Sequence, residues 1–308
     1  TVCIAFWTVV ACSGSAIGQE ADAKLDAFFR DYLDEHFRQR PLNASRFGDH
    51  RFDHLLEDLS GNSRKAWLAH ARKTLSELPR RVDFAKLSRD GQIDFEMLKH
   101  ELTESIWLTE NTRPFEEDPR VYNDYLNDSV FTLLVQSTRP KETNVANSIA
   151  RMAQMPKAVA AARENLRHPP RQLAETAIRQ NRGAIAFYEK ELFELVGETP
   201  QLAGLKSAAA SVAELLKNYQ GFLEKDLLPR ANGEWRLGRT KFARKLELVL
   251  DAGFTADQVL ANAEAEFVRV QRELYVLARQ LWSRYFPGVA LPPDDTAGRR
   301  VTIQRVLE

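Results

Sequence analysis

Cysteine is almost absent from this chain of 308 residues: only Cys3 and Cys12 occur, both near the start. The body of the protein therefore has no internal disulfide and no cysteine metal ligand, and packing must hold it together. A surplus of one charge is missing too. Lys and Arg total 43, Asp and Glu total 43, and the zero balance argues against a nucleic-acid partner. Glycine and proline are sparse, with 14 and 13 copies, while Leu, Ala, Glu and Arg abound, which favours helix. No histidine follows His168, so residues 169–308 cannot supply an imidazole ligand or base. The G-x-S-x-G, P-loop and G-x-G-x-x-G patterns are all lacking, which removes the commonest hydrolase and nucleotide-binding signatures.

What is present begins with an uncharged segment, TVCIAFWTVVACSGSAIG, residues 1–18. It is too short to span a bilayer and suits the apolar core and cleavage zone of a secretory signal whose basic start is missing. Two cleavage readings stand. Ala16-Ile17-Gly18 fits an ordinary signal peptidase site ahead of Gln19. Val9-Val10-Ala11-Cys12 resembles a lipobox, in which Cys12 would carry the lipid. Either one predicts an exported protein, periplasmic or extracellular, that meets a membrane only through a lipid anchor.

Beyond residue 18 the chain reads as one amphipathic helix after another. Leu25, Phe28, Phe29, Tyr32, Leu33 and Phe37 form one stripe, and Trp67, Leu68, Ala71, Leu75 and Leu78 form another. Ser88 is placed to cap a helix running to Trp107. Pro114 and Pro119 mark a loop over 110–124, and Pro156 breaks the next helical run. The stretch 230–242 is the best place for an extended piece. Gly253 reads as a helix stop, and Thr255 to Gln258 as a capping box launching a helix to about Tyr285. Period-two alternation is scarce, so the fold class is all-α, a multi-helix array with little or no strand. The helical pattern is still running at Glu308, so residues 19–308 read as part of a larger domain.

The densest chemistry lies in GDHRFDHLLEDLS, residues 48–60. On a helical wheel Phe52, Leu55, Leu56 and Leu59 make an apolar stripe, with His50, His54 and Glu57 clustered opposite. Those three could ligate a metal only under a covering element, and Arg51 puts a cation where a catalytic site wants a carboxylate. Gly48-Asp49 also reads as a turn. A second candidate, His100-Glu101-Leu102-Thr103-Glu104, is H-E-x-x-H with its last His replaced by Glu. Its His100 and Glu104 fall opposite the stripe of Phe95, Leu98, Leu102 and Ile106, as coincidence on a charged helix would place them.

Four stretches occur in a telling order: RFGDHRFDHLLEDLS, RPFEEDPRVYNDYL, NLRHPPRQLAETAIRQNRGAIAFYEKEL and WRLGRTKFARKLELVLDAGFTADQVLANAEAEF. Together they resemble the bacterial "domain of unknown function" family 885, from about Leu25 to the end of the chain. That resemblance implies a zincin-like metallopeptidase or related hydrolase acting on a peptide-like substrate. Its zinc would sit on an H-E-x-x-P-G-H type motif in the C-terminal half. This sequence contains no such motif and matches the N-terminal half only. The resemblance therefore assigns no zinc ligand and no catalytic residue here, and the cofactor is expected in a segment beyond Glu308. Against that family, Asp49, His50 and Arg51 are expected to shape a turn or line the substrate cleft.

Overall fold

Helix formation here follows the apolar stripes, because a stripe at helical spacing can be buried only by winding it onto a neighbour. The structure, a computed structural model, describes residues 13–308, with side chains from Gln19 onward. The predicted all-α class holds, and no strand occurs among the described residues. Two compact units divide the chain, the first reaching Leu237 and the second running from Gly238 to Glu308.

The first unit opens with α1 (Ser13–Gln39), a short α2 (Pro41–Arg46), α3 (Gly61–Arg81) and α4 (Arg89–Asn111). Ser60 and Ser88 cap α3 and α4, each hydroxyl accepting from a backbone N–H three residues on. Leu25 and Phe28 of α1 meet Leu78 of α3 and Phe95, Leu98 and Leu102 of α4 in a small core of their own. The segment expected to be a loop, 110–124, is mostly helical. A single turn, α5 (Pro114–Glu117), precedes α6 (Arg120–Val135), because each proline stands at a helix start, where its missing N–H costs nothing.

The larger core joins α6 to α7 (Lys141–Met152), α8 (Met155–Asn165), α9 (Arg171–Ala186), α10 (Leu192–Val196) and α11 (Leu202–Phe222). The predicted break falls at Ala153-Gln154, which leaves Pro156 in the first turn of α8. Residues Phe187–Glu191 join α9 to α10 through a π turn, and Leu223–Leu227 continue α11 in the same way. Two buried asparagines cross-link this bundle. Asn123 donates to the Ala177 carbonyl at 2.8 Å, and Asn181 to that of Leu216 at 3.0 Å. The stretch after Arg230 is extended but pairs with no strand. Gly233 presses it onto Pro169, where a Cβ would lie 2.2 Å from the His168 carbonyl oxygen.

The second unit holds α12 (Arg239–Leu250), α13 (Ala256–Tyr285) and α14 (Thr296–Leu307). Asp251 ends α12 in the left-handed conformation, with Gly253 also at positive φ. The predicted capping box of Thr255 and Gln258 is formed. Tyr275, Ala278 and Trp282 of α13 are buried here, and the Trp282 indole donates to the Val289 carbonyl. A second face of α13 is uncovered: Leu260, Phe267, Val270, Leu274 and Leu277 are all exposed.

Gly233→Ala should destabilise the first unit by about 1–3 kcal/mol, the usual cost of overpacking a site whose neighbour is backbone. Urea unfolding of the two proteins measures it.

Candidate functional site

The stretch singled out by its histidines does not continue as a helix. Gly48 takes φ +82° and turns the chain, and the Asp49 side chain caps one 3-10 turn, His50–Phe52, by accepting from the Arg51 N–H. After His54 the backbone leaves the helical turn, and the end of α7 with the two residues that follow it supplies its hydrogen bonds. Arg151 donates from Nε to the Leu55 carbonyl at 2.9 Å. Gln154 donates to the His54 carbonyl and accepts from the Leu56 N–H. The wheel drawn for Phe52 to Leu59 is therefore corrected: side chains of a neighbouring helix satisfy this backbone, so it needs no helix of its own.

Arg151 is wholly buried, yet all three of its donor positions are used. Nη1 donates to the Ser129 carbonyl at 2.7 Å and Nη2 to the Ser45 hydroxyl at 2.6 Å. Ser45 passes its own proton toward Asp53 at 2.5 Å, and His50 Nδ1 meets the other Asp53 oxygen at 2.8 Å. Burial lowers the Arg151 guanidinium to about 10, against the pull of Asp53 and Glu57, so it stays charged at neutral pH. The network closes on itself with a buried carboxylate opposite a buried guanidinium.

The metal reading on His50, His54 and Glu57 is corrected as well. His50 is engaged with Asp53, His54 is exposed, and Glu57 is buried beside Arg40, its Oε1 3.7 Å from Arg40 Nε. Among the described residues no group of three or more His, Cys, Asp or Glu side chains could hold a metal ion. Asp49 and Arg51 pair with each other, and Arg51 also reaches Asp34 at 2.7 Å. They form a turn that neutralises itself at the surface, and neither lines a described cavity. His100 and Glu104 lie 4.0 Å apart on α4. Cys12 lies outside the described residues.

The cleft that does form was not anticipated from the sequence. It holds about 500 Å³ between α3, α4, α5 and the residue joining α1 to α2. Arg40 lies over the Trp67 ring at 4.4 Å, and Arg64 over Phe115 at 4.7 Å. Arg64 is also fixed by Glu116 at 2.7 Å and by Asn165. Behind Arg40, Glu57 has neither carboxylate oxygen in a hydrogen bond, and burial pushes its carboxyl up to about 7 against the pull of Arg40 and Arg151. Arg40 donates from Nη2 to the Tyr125 hydroxyl at 3.2 Å. A signal for the buried arginine did exist in the sequence: Asn144, Val145, Ser148, Arg151 and Met152 share the i, i+3, i+4 spacing of a core stripe, and Arg151 is part of it.

The chain matches one family model and is similar to solved structures. The family model described as "Bacterial protein of unknown function (DUF885)" covers residues 41–303. The matched span thus begins at Pro41 rather than near Leu25, takes in most of the chain, and does not of itself mark out an N-terminal half or a zincin. A solved structure from Shewanella oneidensis, described as a candidate lipoprotein of unknown function, shares the fold with a TM-score of 0.70 at 22% identity. The match covers 92% of this chain and 52% of the other, so this chain spans about half of that protein's length. No curated protein matches the chain.

Arg151→Met should cost about 3–5 kcal/mol, because it strands Asp53 as a buried charge without its cation; chemical unfolding at neutral pH measures this. Glu57 makes stability depend on pH. Its folded carboxyl titrates near 7 against an ordinary 4.5, so the native state binds the proton more tightly and stability falls as pH rises through that interval. Neutral Glu57→Gln should be more stable than the parent above pH 7, by up to roughly 3 kcal/mol, with the difference vanishing near pH 4.5. Melting temperatures across pH 4 to 8 test that closing gap.

Proposed function

The chain belongs to the family of bacterial proteins of unknown function designated DUF885, and from that premise we propose that it forms the helical N-terminal part of an exported zinc-dependent peptidase or related hydrolase. The metal belongs to another segment of such a protein. His50, His54 and Glu57 do not fit a zinc centre, since each is engaged elsewhere or turned to solvent, and no step of the reaction is routed through residues of this chain.

The observation that carries this reading is the uncovered face of α13. Leu260, Phe267, Val270, Leu274 and Leu277 repeat at the three- and four-residue spacing of a packing seam, beside the buried stripe of Tyr275, Ala278 and Trp282. A soluble domain rarely leaves such a stripe in water, which favours a further helical layer packed on it. The Shewanella oneidensis structure, about twice as long, is the kind of protein in which that layer would exist.

Export is part of the same reading, supported by the apolar start of the sequence and by the lipoprotein description of the structural relative. No helix among the described residues is long and apolar enough to cross a membrane. Attachment would then be through a lipid on Cys12, following Val9-Val10-Ala11, or there would be none after cleavage ahead of Gln19.

Three tests decide the matter. The reading frame past the codon for Glu308 should continue into an H-E-x-x-P-G-H type motif, and a stop or a motif-free continuation overturns the peptidase reading. The purified 308-residue chain should bind no stoichiometric zinc and cleave no peptide; either activity in this chain alone would place the chemistry here instead. Mass spectrometry of the exported protein's first residue separates a diacylglyceryl Cys12 from a free Gln19.

A further inference from the structure

The cleft between α3, α4 and α5 carries positive charge that its own carboxylates do not cancel. Its wall includes Arg40, Arg64 and Arg113 against Glu110 and Glu116. Both glutamates are spoken for: Glu110 by Arg72 at 2.5 Å, and Glu116 by Arg64 at 2.7 Å. Arg113 is exposed and makes no ion pair among the described residues. Among the described residues Arg40 pairs with one carboxylate, that of Glu57, 3.7 Å away and without a hydrogen bond to it.

The rest of the wall is apolar. Trp67, Leu68, Leu108 and Phe115 supply it, and the Trp67 and Phe115 rings stand 6.2 Å apart. Arg40 is held in place before any ligand arrives, stacked on Trp67 and tied to Tyr125. A planar guanidinium fixed against an aromatic face presents its free N–H groups in the fork that fits a carboxylate. Arg113 adds a second, exposed cation to the wall.

We propose that this cleft is a binding site for a carboxylate carried on an apolar body, such as the free C-terminal end of a peptide with a hydrophobic last residue. Arg40 and Arg113 take the carboxylate, while Trp67 and Phe115 receive the apolar group. Arg64, neutralised by Glu116, sets the far wall and leaves the anion to the other two arginines. The site needs no metal, and it stands whether or not the chain works as part of a hydrolase.

Calorimetric titration of the full chain with N-acetyl-L-phenylalanine and with N-acetyl-L-phenylalaninamide tests it, since the two differ only in the charged oxygen. The acid should bind about tenfold or more tightly than the amide, as expected for charge-assisted hydrogen bonds to an arginine. Arg113→Gln, a surface change that leaves the fold alone, should remove most of that preference while amide binding is unchanged. Trp67→Leu should weaken both probes. Equal binding of acid and amide overturns the carboxylate assignment, as does an Arg113→Gln protein that keeps the full preference. No binding of either probe overturns the site as a whole.

Discussion

A single buried guanidinium organises the first unit. Arg151 reaches the Leu55 carbonyl in the irregular stretch, the Ser129 carbonyl in α6 and the Ser45 hydroxyl in α2. Three pieces of chain far apart in sequence are thus tied to one side chain at the end of α7. The arrangement is favourable only as a complete set, because a buried arginine with any donor unmet would forfeit much of what burial gains. Asp53 completes it by facing the cation through Ser45, and His50 in turn faces Asp53. Of the residues that looked like metal ligands, His50 belongs to this network, while Glu57 lies beside Arg40 and the His54 side chain is exposed.

That network fixes where Arg40 and Glu57 lie, and so it shapes the cleft. The irregular run from Leu55 to Leu59 puts Glu57 under Arg40, and α2, ending one residue after Ser45, keeps Arg40 turned toward Trp67. Two kinds of arginine result within a short distance. Arg151 has a partner at each of its three nitrogens and is inaccessible, a structural group. Arg40 is stacked on an aromatic ring and partly open, with one neighbouring carboxylate that gives up its charge near neutral pH. Only the second kind can serve a ligand.

Helix positions were legible in the sequence wherever one stripe met one neighbour. Ser88, Thr255 and the stripe of Phe95, Leu98 and Leu102 fall where capping and periodicity put them. The segment 52–59 was misread for a definite reason. Phe52, Leu55, Leu56 and Leu59 have helical spacing, but spacing alone cannot register that Arg151 and Gln154, about a hundred residues later, will supply the backbone bonds. The same blindness placed Glu57 in solvent when it is buried. The cleft was illegible because Arg40, Trp67, Arg64 and Phe115 come from separate elements, and no local pattern joins them.

The π turns within the two long helices bear on how this chain should be compared with others. Each of Phe187–Glu191 and Leu223–Leu227 accommodates one more residue than an uninterrupted helix with the same end points would contain. Everything after the turn is rotated by about 100° relative to a plain helix, so buried Leu192, directly after the first turn, faces the core in a register that includes the extra residue. A relative lacking the turn would align with this chain only by opening a one-residue gap in mid-helix. Alignment methods penalise gaps at such positions, and forcing the two sequences into register would pair core residues with surface ones for the remainder of the helix.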